Sequence, residues 1–332
     1  MAIKVGIPRA LLYYRFYPFW KTFFNSLGIE VVVSGKTTKT ILKEGLKYAP
    51  GEACLSVKVA FGHVEELISK VDYLFLPRLV SLERGTYICP KFMGFPDMIR
   101  SAFSNLPPLI DTSFNLRKRP SNLFFPMYRI GRIFKKSFFV IYGAYKKALE
   151  EESKYLSLLR KGNLLPEVLS GWEQKRTFRP SNPKGNLRVA LVGHPYNLYD
   201  SFVNLNIIKK LKNLGAKVIT PEMVAPSQIK RETDKIPQAI YWSLGREIVG
   251  ASFYLLESKS INGLIHLGSF GCGPDSFLRE LMVDKVRKYP DIAYLSLILD
   301  EHTGEAGMVT RLEAFIDLIQ RRRKSSELGV RS

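Results

Sequence analysis

Cys54, Cys89 and Cys272 are the three cysteines of this 332-residue chain, and they are the residues most able to do chemistry. A thiolate is both a nucleophile and a metal ligand. None of the three falls inside an apolar strand pattern. Cys54 follows Gly51-Glu52-Ala53 at the predicted start of a helix, where backbone N–H dipoles favour the ionised sulfur. Cys89 precedes Pro90 in a loop after a predicted strand at Tyr73. Cys272 stands in Gly268-Ser269-Phe270-Gly271-Cys272-Gly273-Pro274, directly after a predicted strand at Gly263. Loops at the carboxyl ends of parallel strands line ligand crevices in open α/β sheets, so this placement allows the three thiols to converge between two lobes.

The residues alone leave several chemistries open. Each cysteine can be a small buried hydrophobe. Zinc needs a fourth ligand, which His63 or His194 can supply, although the closely paired cysteines of common zinc sites are missing. A disulfide leaves one thiol over. An iron–sulfur cubane usually takes four cysteines; three leave one iron for water, a non-cysteine ligand or a substrate oxygen. Weaker candidates are Glu301-His302 as a proton-transfer pair and Ser269 as a hydrogen-bond donor. Arg117-Lys118-Arg119 and Lys135-Lys136 can meet the phosphates of a CoA-like ligand. Each of these also reads as an ordinary turn or a solvated surface cluster.

An internal echo organises the elements that must position these residues. Val5-Gly6-Ile7-Pro8 returns as Val192-Gly193-His194-Pro195, Leu27-Gly28 as Leu214-Gly215, and Val31-Val32 as Val218-Ile219, all at one offset. Each copy reads as strand, Gly/Pro turn, amphipathic helix, Leu-Gly stop and strand. Phe16, Phe19, Trp20, Phe23, Phe24 and Leu27 supply the first helical stripe, and Val203, Ile207, Ile208, Leu211 and Leu214 the second. The runs Tyr73–Leu76, Gly263–Leu267 and Ala293–Leu299 suit buried parallel strands. A helix is expected from about Gly307 to Arg321. The fold predicted is α/β: two Rossmann-like lobes with parallel sheets related by the repeat, at 1–114 and 186–320. Between them, 115–185 is expected as a basic, largely helical insert closed by the linker Ser181-Asn182-Pro183-Lys184-Gly185, and 321–332 as a flexible basic tail.

Composition narrows the class. Hydrophobic residues make up 46% and charged residues 24%, which excludes wholesale disorder. No apolar run is long enough to span a membrane, and Lys4, Arg9 and Arg15 interrupt any signal-peptide core. Sparse cysteine use points to a reducing cytoplasm. The net charge is +20, and from Leu116 to Ala190 there are 17 Lys/Arg against five Asp/Glu. Such a block suits nucleic acid, an anionic membrane surface, a polyanionic ligand or an acidic partner protein. No helix-turn-helix, zinc-finger or RNA-recognition signature accompanies it, so a nucleic-acid-binding role stands as an alternative, as does a metal-free module closing on a small ligand.

At the cysteines the sequence resembles a family. Gly51-Glu52-Ala53-Cys54 with Lys58 and Gly62-His63-Val64, Ile88-Cys89-Pro90, and Leu267-Gly268-Ser269-Phe270-Gly271-Cys272-Gly273 look like the three cysteine motifs of the 2-hydroxyacyl-CoA dehydratases and their activase-related proteins. Asp300-Glu301 with Gly304, Gly307 and Thr310-Arg311-Leu312-Glu313-Ala314-Phe315 is similar to the family's closing strand and helix. The opening through Phe16-Tyr17-Pro18-Phe19-Trp20 is like a domain appended to activator proteins. The resemblance covers roughly 1–110 and 186–320. It implies two α/β lobes holding a [4Fe–4S] cluster through Cys54, Cys89 and Cys272, with low-potential electrons injected by an ATP-dependent activator. It further implies a 2-hydroxyacyl-CoA dehydratase-like lyase or reductase component acting on an acyl-CoA, as a homo- or heterodimer. Ser56 departs from the proline common after the first cysteine. No phosphate-binding G-x-x-x-x-G-K-[ST] loop is present, so the chain is expected to be the cluster-bearing part without the ATPase.

Overall fold

The computed structural model describes residues 2–118, 123–174 and 187–327. Arg119, Pro120 and the expected linker at 181–185 lie outside the described residues. The chain divides into two compact units: residues 1–158 with 240–244, and residues 159–239 with 245–332. No helix among the described residues is long and apolar enough to cross a membrane.

The first unit runs β1 (Lys4–Ile7), α1 (Tyr13–Ser26), β2 (Glu30–Val33), α2 (Lys39–Tyr48), α3 (Leu55–Ile68), β3 (Tyr73–Phe75) and β4 (Arg78–Ser81). It continues through α4 (Pro90–Met93), α5 (Phe95–Ala102), β5 (Leu109–Ile110), β6 (Ser113–Asn115), α6 (Phe124–Ile133) and α7 (Phe138–Arg160), which leaves the unit after Leu158. Its main sheet is parallel in the order β2-β1-β3-β5, and β4 pairs in parallel with β6. The aromatic stripe of α1 lies on this sheet: Trp20 and Phe24 meet the Phe75 ring edge-on at 5.1 and 5.2 Å. Gly28 at φ +76° ends the helix at the expected Leu-Gly stop, in a conformation that favours glycine.

The second unit holds α8 (Leu165–Glu173), β7 (Leu187–Gly193), α9 (Pro195–Tyr199), α10 (Ile207–Asn213), β8 (Ala216–Ile219) and α11 (Pro226–Thr233). It ends with α12 (Ser243–Glu257), β9 (Gly263–Ser269), α13 (Gly273–Val286), β10 (Ala293–Leu299) and α14 (Glu305–Glu327). Its parallel sheet is ordered β10-β9-β7-β8, the same arrangement as in the first unit, with β7 standing for β1, β8 for β2 and β9 for β3. Two Rossmann-like α/β units related by a repeat are thus present.

The copies differ where local polar chemistry intervenes. The single helix expected through Val203 is broken, and α10 begins only at Ile207. The Asp200 carboxylate accepts the N–H groups of Phe202 and Val203, and the Asn204 side chain donates to the carbonyls of Asn197 and Leu198. Leu205 and Asn206 then take left-handed backbone at φ 53° and 58°. Short polar side chains that bond the nearby backbone compete with helix formation in this way. Register differs as well: Val5 pairs with Val31, whereas Val218 pairs with Val189 and not with Val192.

The segment expected as one basic insert is divided. Helices α6 and α7, as far as Leu158, belong to the first unit, and α8 belongs to the second. The reason is aromatic packing onto the first sheet and α1: Phe134 meets Tyr73 at 5.3 Å and Phe24 at 6.3 Å, while Tyr145 meets Phe19 at 6.3 Å. At the other end, α14 continues as helix past Arg321, where a flexible tail was expected, to Glu327. Residues 240–244, reached only after residues 159–239 of the second unit, are laid against the loop before Cys89. Tyr87 donates its N–H to Tyr241, Ser243 returns one to Tyr87, and the hydroxyls of Thr86 and Ser243 lie 2.6 Å apart.

Helix α3, which begins beside Cys54, is fixed by a close crossing with α2. A Cβ added at Gly45 would lie 2.0 Å from the Lys58 carbonyl oxygen, and one at Gly62 would lie 1.9 Å from that of Ile41. His63 adds a second tie. Its Nδ1 lies 2.9 Å from the Ser34 hydroxyl and its Nε2 2.9 Å from that of Thr37, and it is completely buried. Ser34 Oγ also accepts the Arg9 N–H at 2.8 Å.

Gly62→Ala is expected to destabilise the first unit by about 1–3 kcal/mol or more through this overpacking. Gly51→Ala, whose Cβ would meet nothing within 4 Å, should change stability by no more than about 0.5 kcal/mol. Urea midpoints of the two variants measure the contrast. Burial also pushes the His63 pKa from 6.5 down to about 4. Between these values the unfolded chain binds a proton that the folded chain refuses, so stability is lost as pH falls from 6.5 towards 4. The loss at the lower limit is roughly 3 kcal/mol. His63→Gln should flatten that part of a stability–pH curve.

Candidate functional site

Each cysteine occupies the residue just before a helix: Cys54 before α3, Cys89 before α4 and Cys272 before α13. Cys54 and Cys272 are buried and Cys89 is half-buried. In the first unit the fold brings Cys54 and Cys89 near enough to feel one another's charge. Burial pushes the Cys89 thiol pKa up, backbone N–H of Phe92 opposes this, and the neighbouring Cys54 adds to the rise. Burial likewise pushes Cys54 up, against smaller opposing effects of the Val57 N–H and the Lys91 charge. Lys91 ties the two motifs together by donating to the Glu52 carbonyl at 2.7 Å. Two sulfurs held together in low dielectric stay protonated unless a cation joins them.

The sheet order places a topological switch between β1 and β3 and, in the second unit, between β7 and β9, the positions where open α/β sheets bind ligands. The two crevices have diverged. In the first, the carboxyl ends of β1 and β3 open on an apolar cavity of about 40 Å³ walled by Ile7, Leu12, Trp20, Leu76 and Phe92. In the second, the same place holds ionisable groups. His194 follows β7, and its Nε2 lies 4.0 Å from Cys272 Sγ and 3.9 Å from Asp275 Oδ1. His266, inside β9, bonds Asp275 Oδ1 through Nε2 at 3.1 Å, and the Ser269 N–H donates to the other carboxylate oxygen at 3.2 Å.

Burial drives the His194 pKa down and keeps the ring neutral, although Asp275 pulls the other way. Burial pushes Asp275 up, but the His266 hydrogen bond and the Ser269 N–H favour the carboxylate, and the carboxyl is held below its ordinary value. His194, Cys272 and Asp275 can each offer one ligand atom, all within 4.8 Å of one another. Nitrogen, sulfur and oxygen donors of this kind suit zinc or another borderline transition metal. His266 then orients the carboxylate from behind.

The other candidates resolve into simpler roles. His63 has both ring nitrogens engaged by hydroxyls and is not placed to ligate. The Ser269 hydroxyl donates to Asn197 Oδ1 at 2.7 Å. The exposed His302 belongs to a turn in which its N–H and the Thr303 hydroxyl both donate to Asp300 Oδ1. Arg117 lies over the Tyr87 ring at 4.8 Å. His266 and Asp275 were missed in the sequence, yet one signal was available: a histidine within the apolar run Leu264-Ile265-His266-Leu267 must have a buried partner.

Fold and site together define a two-unit parallel α/β protein whose cysteines stand at helix starts. Residues 4–224 match the family model of the CoA enzyme activase uncharacterised domain, and the chain belongs to that family. The family fits the wider group of 2-hydroxyacyl-CoA dehydratases and CoA-enzyme activase-related proteins, within acyl-CoA enzyme systems. The match includes Cys54, Cys89 and His194 and ends before His266, Cys272 and Asp275. No curated protein matches the chain.

In the metal-free protein, Cys54 and Cys89 should react with iodoacetamide at neutral pH more slowly than a free peptide thiol, and their rates should still be rising with pH beyond 9. Lys91→Met removes a cation that favours the thiolates and should slow both further. Mass-spectrometric labelling at each site checks this; reaction of either cysteine at the free-thiol rate contradicts it.

Proposed function

We propose that this chain is the cluster-bearing component of an acyl-CoA enzyme system, with Cys54, Cys89 and Cys272 as the ligands of one [4Fe–4S] cluster. In this reading an ATP-dependent activator protein supplies low-potential electrons, and the chain serves acyl-CoA dehydration or a related reductive reaction as part of a dimer in a reducing cytoplasm. The carrying observation is that Cys54 and Cys89, from motifs far apart in sequence, each stand before a helix and that Lys91, two residues after one, bonds the carbonyl of Glu52, two residues before the other, at 2.7 Å. The donor chemistry fits: thiols in a dry setting, adjacent to backbone N–H groups of the kind that bond cluster sulfurs and tune their potential.

When bound, the cluster supplies one-electron chemistry and an iron with an open coordination position. The chain's residues do the rest. Cys54 and Cys89 give up their protons on metallation. His194 lies against Cys272 Sγ and limits where that sulfur can move, while His266 and the Ser269 N–H hold Asp275 in place.

One observation favours a second reading. The His194, Cys272 and Asp275 group lies wholly within the second unit and can hold a single zinc-like ion without Cys54 or Cys89.

Anaerobic reconstitution followed by iron and sulfide analysis separates the two. The proposal expects about four of each per chain, and most of both lost in Cys54→Ala, Cys89→Ala and Cys272→Ala alike. A colourless, iron-free protein rejects it, as does full loading of the Cys272→Ala variant. Stoichiometric zinc that survives Cys54→Ala and Cys89→Ala but not Cys272→Ala establishes the second reading.

A further inference from the structure

The helical hairpin of α6 and α7 ends in a tip that none of the described residues covers. Ser137, Phe138, Phe139 and Val140 are four consecutive exposed residues in and beside the first turn of α7. A helix turn exposed all the way round projects into solvent, since a helix lying on a core hides one side of every turn. Here the buried side begins only at Ile141 and continues through Ala144 and Ala148. The projecting turn is apolar: Phe139 is 82% exposed, Phe138 50% and Val140 46%, and Phe125, Ile133 and Tyr142 lie open beside them. The tip is also rigid. Phe138 stacks on Tyr142 with rings 7° from parallel and meets Phe124 edge-on at 5.8 Å. Gly131 of α6 gives the Ile141 side chain room that a Cβ would close to 2.5 Å.

A basic collar surrounds this tip. Between Leu123 and Leu149 there are six Lys/Arg and no Asp or Glu. Arg129, Arg132, Lys135, Lys146 and Lys147 are exposed, and Lys135 takes a left-handed conformation, φ 54°, in the turn itself. Aromatic and aliphatic side chains ringed by cations, with no acid among them, are the chemistry of an interfacial membrane anchor.

We propose that the α6–α7 tip docks on an anionic lipid bilayer, with Phe138, Phe139 and Val140 entering the headgroup boundary and the collar binding lipid phosphates. The form of the surface selects this occupant. A partner protein's helix needs a groove, whereas here the apolar residues stand on a turn exposed at four consecutive positions. A second copy docking through the same face sets cation against cation across a two-fold axis. The inference is independent of the metal chemistry of the cysteines and concerns only where the protein works.

Flotation of the full chain with vesicles tests it, using phosphatidylcholine alone or mixed with phosphatidylglycerol. The proposal expects binding to the mixed vesicles at low salt, at least tenfold weaker binding to phosphatidylcholine alone, and a steep fall with added salt. Phe138→Ser/Phe139→Ser and Lys135→Glu/Lys136→Glu should each reduce partition at least tenfold with unchanged circular dichroism. A Phe139→Trp variant should show a blue-shifted emission on binding, which attraction by charge alone does not give. Absence of binding to mixed vesicles overturns the proposal, as does undiminished binding of the double-serine variant. Sedimentation showing a dimer that the double-serine variant dissolves also overturns it and assigns the tip to a second copy.

Discussion

Sulfur in a dry pocket does not hold charge alone. Each buried thiol here loses the water that would stabilise its ionised form, and for Cys54 and Cys89 that loss outweighs the backbone N–H groups and the lysine that favour ionisation. Bringing the two together deepens the conflict, because each thiolate disfavours the next. The two therefore rest as neutral thiols, and ionise together only if a cation joins them.

The two units show how one topology serves unlike chemistry. Both place a loop at the carboxyl ends of the central strands beside the point where strand order reverses. In one the loop residues are apolar and enclose a small cavity; in the other a histidine, a cysteine and an aspartate meet, with a second histidine behind. The difference is traceable to a few positions. Ile7 in the first copy of the turn is His194 in the second, and β9 carries His266 where its neighbours in the run are aliphatic. Backbone order builds the place, and side chains decide what it can hold.

Much of the fold was readable because its signals are periodic or local. The Val-Gly-x-Pro turns, the Leu-Gly helix stops and the short apolar runs each reflect nearest-neighbour physics, and the two repeated sets of parallel strands follow from them. The break in the second repeat's helix was hidden because Val203 keeps the helical period; the Asp200 and Asn204 side chains that capture the backbone act through hydrogen bonds that periodicity does not register. The division of the basic segment was hidden too, since its charges are prominent in the sequence while the aromatic contacts of Phe134 and Tyr145 depend on the assembled sheet. At the site, the cysteines stood out by type and by their glycine and proline neighbours. His266 and Asp275 did not, because their meaning lies in contact with each other across a strand and a helix.

The pairing of Tyr87 with Tyr241 and Ser243 has a consequence for how the protein is made. The loop that carries Cys89 is fastened by residues that emerge from the ribosome long after it. A nascent chain can assemble the β2-β1-β3-β5 sheet and the α2–α3 crossing early, yet it lacks the residues that fasten this loop until synthesis has passed position 244. Until then the loop rests on ties such as the Ile88 N–H to the Val80 carbonyl and Lys91 to that of Glu52, and any fragment cut at the end of α7 lacks the bonds to Tyr241 and Ser243.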